Sequence, residues 1–163
     1  MPSWVVSEDI ITQPVVRRAN VHDLPRIVAL IEGGALGEPL AHDVSLPPAQ
    51  SYYDAFAAID ADPDNEVMVA DYDGRVIGTF QFTVITRIQH GGGRVAHVES
   101  VHVDVAMRGK KIGEAMLRWA IDEALRRGCF RIQLTSNKAR PDAHRCYNRL
   151  GFVATHVGFK LTL

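Results

Sequence analysis

Only two cysteines, Cys129 and Cys146, occur in 163 residues, and they do not form a CxxC pair. That spacing supplies neither a disulfide framework nor a cysteine-based zinc pattern, so a reducing compartment is the simpler expectation. A surplus of charge is lacking too. Eighteen basic residues stand against 19 acidic ones, for a net charge of -1. This excludes an overall basic nucleic-acid binder and an acidic solvating protein, and any recognition by charge must be local. No apolar run reaches the length that spans a bilayer. Met1 to Pro14, which carries Glu8 and Asp9, lacks the basic-then-apolar order of a leader. Repeats, low-complexity tracts and Gly/Ser linkers are absent as well. The expectation is an untargeted cytoplasmic protein with neither membrane nor nucleic acid as partner. It should fold as one domain, residues 1–163, behind an N-terminal extension of residues 1–14.

What is present is an alternation of strand and helix patterns. A strand is predicted near Val15 to Arg18. Leu24, Ile27, Val28 and Ile31 then recur at helical spacing, with Asn20 or Asp23 available as cap and Gly33-Gly34 as stop. Gly33 to Pro48 is rich in Gly and Pro and lacks periodicity, as site-forming loops often do. Tyr52, Ala55, Phe56 and Ile59 predict a second helix. Two β-rich runs, Glu66 to Ala70 and Arg75 to Thr86, flank Asp73-Gly74, a pair suited to a tight hairpin. After Gly91-Gly92-Gly93, Arg94 to Val103 reads as another strand. Lys110 to Arg127 reads as a long amphipathic helix, Phe130 to Leu134 as a buried strand, and Pro141 to Leu150 as a final helix ended by Gly151. Phe152 to Leu163 has strand character. A late strand-helix-strand succession favours a parallel pair, whereas the hairpin is antiparallel. The fold class is therefore α/β, or α+β by some conventions, with a mixed sheet covered by about four helices.

The residues most suggestive of chemistry run from Val101 to Gly113: Val-His-Val-Asp-Val-Ala-Met-Arg-Gly-Lys-Lys-Ile-Gly. They join a strand end to a helix start, where unpaired backbone N–H groups and the positive end of the helix dipole favour an anion. Arg108, Lys110 and Lys111 add charge, and a pyrophosphate would sit well there.

This segment resembles the signature of the GNAT superfamily of acetyltransferases: Arg or Gln, two residues, Gly, one residue, then Gly or Ala. Arg108, Gly109 and Gly113 agree with its common form, and Lys111 stands where the middle glycine is usual. A second block, Ala143-His144-Arg145-Cys146-Tyr147-Asn148-Arg149-Leu150-Gly151-Phe152, is similar to the family's Ala-x-x-x-Tyr-x-x-x-Gly-Phe ending. The order of elements from Val15 onward also suits the family. The resemblance implies a twisted, mainly antiparallel sheet in which a parallel strand pair splays to admit acetyl-CoA as co-substrate. It implies that Val101, His102 and Val103 pair with the pantetheine arm. Arg108, Gly109, Lys110, Lys111, Ile112 and Gly113 would hold the pyrophosphate. Many members carry an Asn seven residues before the tyrosine; Arg140 occupies that position and Asn137 lies one turn back, so either is a candidate cofactor contact.

The implied chemistry is direct acetyl transfer to an amine. An alkylamine is mostly protonated near pH 7 and attacks a thioester only when neutral, so the site needs a base, a water route or a depressed amine pKa. Glu99 is the candidate base, with His97 and His102 behind it, and Tyr147 matches the family's general acid. A strand amide near Val101 would stabilise the oxyanion. Strand alternation sets His102 on the opposite face from His97 and Glu99, so no shared metal is expected. Acceptor contacts are expected from Gly33 to Pro48, Tyr52 or Tyr53, and Arg87 to Arg94, with Glu38, His42 and Asp43 able to attract a cation. The expected acceptor is the primary amine of a small molecule; the alternatives are a protein N-terminus or lysine as acceptor, or a non-catalytic acyl-CoA-binding module. A homodimer is allowed, with the C-terminal tail as a contributor.

Overall fold

The computed structural model describes residues 13–33 and 47–163. Five strands, β1 (Val15–Arg18), β2 (Asn65–Tyr72), β3 (Arg75–Thr86), β4 (Arg94–Val103) and β5 (Cys129–Leu134), form one sheet in the order β1-β2-β3-β4-β5. The first three pairings are antiparallel and β4–β5 is parallel. The mixed sheet is thus present, and Asp73 and Gly74 both take positive φ (51° and 79°), the conformation a two-residue hairpin requires.

Alternation along β2 divides the core. Val69 faces α1 (Leu24–Gly33) and α2 (Gln50–Asp60), packing with Ile27, Val28 and Phe56. Met68 and Ala70 face the other way, toward α4 (Ile112–Arg126) and α5 (Pro141–Arg149), in a cluster with Phe80, Phe82, Met116, Leu117 and Tyr147. Gly78 sets the approach of α4 to the sheet. A Cβ there would lie 2.7 Å from Met116 Sδ and 3.2 Å from the His102 carbonyl oxygen. The remaining helical segment, α3 (Gln89–Gly92), is a single distorted turn in which His90 and Gly91 have positive φ. No helix among the described residues is long and apolar enough to cross a membrane.

Two expectations are corrected. Phe130 to Leu134 is not fully buried: β5 is an edge strand, and Phe130 is 46% exposed. Phe152 to Leu163 forms no strand, although its alternation suits one. A strand needs a neighbour for its N–H and C=O groups, and among the described residues the tail has none.

Partly buried ion pairs tie the two ends of the sheet to the helices. Arg17 of β1 donates to Asp23 before α1 (2.8 Å) and to Asp71 of β2 (2.9 Å). At the far end of α4, Arg127 donates to Glu123 (2.6 Å) and to Glu66 of β2 (2.5 Å), with its guanidinium over the Phe82 ring. Arg126, followed by Arg127, holds the Glu123 carboxyl down at about 2. Because this value is depressed in the folded chain, the stabilisation is complete above the ordinary carboxylate range and is lost as pH falls from there toward about 2. Glu123→Gln should therefore lower stability at neutral pH by about 1 kcal/mol after solvent screening, and should flatten the decline in melting temperature across that acid window. A pH series of thermal melts on both proteins checks this.

Candidate active site

The ladder between β4 and β5 runs from Arg94 opposite Cys129 to Val98 opposite Leu134 and goes no further. β4 itself continues to Val103. Glu99 to Val103 therefore face the β5 side with no strand partner among the described residues, leaving a wedge between two parallel strands. On the other side of β4, Glu99 pairs with Gln81 and His102 with Thr79, so Ser100 and Val101 together oppose Phe80. Ser100 takes φ 52°. This bulge adds one residue and reverses the side-chain parity beyond it. His102 consequently shares a face with Glu99, contrary to the expectation from simple alternation. Even so, the described residues contain no group of three His, Cys, Asp or Glu side chains that could hold a metal.

The turn after β4 is anchored by Asp104. Its N–H donates to the Ile77 carbonyl (2.8 Å), and its carboxylate accepts from Ala106 N–H (3.0 Å), starting a 3-10 turn at Val105–Met107. The same carboxylate takes Arg26 of α1 (2.5 Å) and Arg75 beside the hairpin (3.2 Å). The Ala106 amide first, and then Arg26 and Arg75, hold Asp104 below the usual carboxylate range. Sequence reasoning missed this anchor. An Asp before a short helical turn is a recognisable cap, but partners 78 and 29 residues away leave no local signal.

Arg108, Gly109, Lys110 and Lys111 follow as an exposed turn, and α4 begins at Ile112, two residues later than its periodicity predicts. The delay has a backbone cause: Gly109 and Lys111 have φ of 77° and 61°. Left-handed residues cannot belong to the helix, and Lys111 holds that conformation without glycine's freedom. Gly113 lies in the first turn with nothing nearer its Cβ position than Val103 Cγ2 at 3.8 Å, so small size is not demanded by the protein's own packing there.

Across the wedge stands α5. Tyr147 is 9% exposed and edge-on to Phe152, with ring centroids 6.1 Å apart. Burial pushes its phenol above the ordinary range, with Arg140 and the nearby Ser136 hydroxyl pulling partly back. No well-formed hydrogen bond joins Ser136 and Tyr147; the Ser136 Oγ is buried without a partner. Of the two candidates before α5, Asn137 braces its own turn, its side-chain oxygen accepting from Ala139 N–H at 2.9 Å. Arg140 instead acts electrostatically on both Tyr147 and His102. Burial, followed by Arg140 and Arg108, lowers His102. Both cysteines are free thiols pushed up by burial.

On the α1/α2 face a cavity of about 220 Å³ is lined by Leu24, Ile27, Tyr52, Phe56, Gln81 and Ser100 among others. Tyr52 donates to Glu32 (3.0 Å) at this cavity, whereas Tyr53 packs into the core. Two residues before Glu99, His97 Nε2 lies 2.8 Å from Gln133 Nε2 and 3.4 Å from Arg87 Nη2. Burial, with Arg87 next, lowers His97, consistent with a neutral ring accepting at Nε2. Arg87 Nε is buried with no partner. Arg94, by contrast, is structural, bound to Asp64 (2.7 Å) and to the Arg127 carbonyl (3.1 Å). Glu38, His42 and Asp43 lie outside the described residues.

The left-handed Lys111 makes a stability prediction. Lys111→Gly should raise stability by about 0.5–1 kcal/mol, because relief of the side-chain clash exceeds the entropy lost with glycine. Lys111→Ala should give no such gain; chemical denaturation of the three proteins distinguishes these outcomes.

Comparison with known proteins agrees with this geometry. The chain is 31% identical over 156 residues to an aminoalkylphosphonate N-acetyltransferase of Salmonella typhimurium, an alignment covering 96% of each protein. It is 33% identical over 107 residues to glucosamine 6-phosphate N-acetyltransferase 1 of Oryza sativa, covering 64% of this chain and 62% of that one. A putative acetyltransferase from Agrobacterium tumefaciens superposes with TM-score 0.80 at 26% identity, covering 91% of this chain and 99% of that one. A transcriptional regulator from Bacillus halodurans C-125 superposes with TM-score 0.84 at 37% identity, covering 93% and 100%. Residues 38–152 match the Acetyltransferase (GNAT) family, whose members use acetyl-CoA, and the chain is therefore a GNAT N-acetyltransferase.

Proposed function

We infer that the protein transfers acetyl from acetyl-CoA to the primary amine of a small molecule that also carries a phosphonate or phosphate group. The observation that carries the transfer reading is the open wedge between β4 and β5, flanked by a cationic turn. The unpaired backbone of Val101, His102 and Val103 suits an amide-bearing pantetheine arm. Arg108, Gly109, Lys110, Lys111, Ile112 and Gly113 offer charge, exposed amides and space to a pyrophosphate. Arg140 is the better cofactor contact of the two candidates, since its charge reaches both His102 on β4 and Tyr147 on α5.

In the proposed reaction the neutral amine nitrogen attacks the thioester carbonyl, a C–N bond forms and the C–S bond breaks. Glu99, directly or through water, takes the amine proton. Tyr147 gives its proton to the departing sulfur, and amides near Val101 hold the developing oxyanion. A tyrosine raised by burial suits this role because it stays protonated through neutral pH. No covalent enzyme intermediate is involved, and neither raised thiol is poised as a nucleophile. Two free thiols with no disulfide between them suit a reducing cytoplasm as the working compartment.

The acceptor class rests on two supports. One is the aminoalkylphosphonate-acetylating relative, which aligns along nearly the whole of both chains. The other is the group formed by Arg87, His97 and Gln133, with Arg131 adding charge. Residues 97 and 99 are about 7 Å apart along a strand. That is within reach of a short aminoalkyl chain with its amine at Glu99 and its anion at Arg87.

Tyr147→Phe should lower kcat by about 100-fold or more while leaving acetyl-CoA affinity near wild type. The wild-type rate should also fall at alkaline pH as the phenol ionises, and this limb should be missing in the variant. An unchanged kcat would remove Tyr147 from the reaction. Arg87→Met should raise KM for aminoalkylphosphonates about tenfold or more, in keeping with a lost charged hydrogen bond, without affecting neutral amines. Equal use of neutral and anionic amines by wild type would overturn the acceptor class while leaving the transferase reading intact.

A further inference from the structure

The cavity on the α1/α2 face is larger than a packing defect. Protein interiors leave few voids bigger than a water molecule, whereas this one measures about 220 Å³. Its walls are mainly apolar, built by Leu24 and Ile27 of α1, Phe56 and Ile59 of α2, and Val67 of β2. A water settles in such a space only with about two to four polar partners, and the polar side chains around it are already engaged. Tyr52 Oη donates to Glu32 at 3.0 Å, Thr79 Oγ1 to the Met68 carbonyl at 2.9 Å, and Gln81 Nε2 to Asn65 Oδ1 at 2.8 Å. The space suits an apolar occupant.

Position identifies that occupant. Thr79 and Phe80, buried in β3, close the cavity on the sheet side. Gln81 pairs directly with Glu99 across β3 and β4, and Ser100, also in the wall, follows Glu99 in the chain. Glu99 and Ser100 are both exposed, so the wall nearest the proposed base is one that solvent reaches. His97, with Arg87 and Gln133 beside it, lies on the other side of Glu99 along β4. The anion-binding group and the apolar cavity therefore flank the same carboxylate from opposite sides.

We propose that this cavity receives an aryl or branched alkyl substituent on the amine-bearing carbon of the acceptor, given the placement of the amine at Glu99 and the anion at Arg87 on which this rests. With those two groups held, a substituent on that carbon leaves the amine away from Arg87 and enters beside Gln81 and Ser100. The size is suitable. An apolar cavity of about 150 Å³ walled by Leu, Ile and Phe stays dry and takes up benzene, so 220 Å³ accepts one phenyl ring or an isobutyl group. The acceptor is then recognised at three points, through its amine, its anion and its apolar side chain.

The test is a series of 2-aminoethylphosphonates carrying hydrogen, methyl, isobutyl or benzyl on the amine-bearing carbon, beside the same amines without the phosphonate. The readouts are kcat/KM and, independent of turnover, Kd for the CoA-loaded protein by calorimetry. Each buried methylene is worth about fourfold in affinity, so the isobutyl or benzyl member should exceed the unsubstituted one by about tenfold or more. Ala55 is exposed on α2 and lines the cavity, so a large side chain there fills space without entering the core. Ala55→Trp should bring the ratio down to about one and keep the rise in melting temperature that acetyl-CoA produces. The wild-type ratio persisting among neutral amines would uphold the cavity's role even where the preference for a phosphonate fails. A flat wild-type series, with and without the phosphonate, would overturn it and leave the transferase reading standing. So would a wild-type ratio in an Ala55→Trp protein that melts normally.

Discussion

The parting of β4 from β5 after Val98 is the constraint on which the rest of the structure depends. Two parallel strands that stayed paired to their ends would satisfy each other's backbone and leave no place for a ligand with amide groups. Here β5 stops at Leu134 while β4 runs on to Val103. The consequences are local and physical. The bulge at Ser100 turns β4 as it leaves its neighbour. Asp104 then pins the departing chain to α1 and the hairpin, and the left-handed residues Gly109 and Lys111 deliver it into α4 with amides exposed. Gly78 lets α4 lie close enough to the sheet for that helix start to reach the wedge.

Charge follows the same economy. The chain as a whole is nearly neutral, yet the wedge is bordered by Arg108, Lys110, Lys111 and Arg140. Their acidic counterparts are employed elsewhere. Asp104 holds Arg26 and Arg75, Glu123 and Glu66 hold Arg127, and Asp23 and Asp71 hold Arg17. Structural arginines are thus neutralised within the fold, while those beside the wedge retain their field for an anion.

Much of this was legible from residue patterns. The hairpin at Asp73-Gly74, the extent of β4 and the apolar face of α4 follow from turn chemistry and periodicity, which act over a few residues. The two motif blocks drew attention to the turn between β4 and α4 and to Tyr147, because glycine spacing and an aromatic at fixed register leave a mark in sequence. The rest depends on distance. Parity at His102 failed because a single inserted residue at Ser100 has no compositional signature. Asp104 with its two arginines, and the group of Arg87, His97 and Gln133, unite residues from separate elements. The tail reads as a strand in sequence and is none in the structure, because a strand is a property of a pair and no described strand lies beside it.

The most direct test of the account is the thermal stability of wild type and Gly113→Trp with and without acetyl-CoA. A ligand bound only by the folded chain must raise its melting temperature. The indole would occupy space that the protein itself leaves open beside Val103, in front of the amides of the α4 start. A clear rise for wild type, absent from a variant that melts normally without ligand, is the result the account predicts. An equal rise in both proteins would move the cofactor away from the α4 turn, and no rise in wild type at saturating acetyl-CoA would contradict the wedge as its binding site.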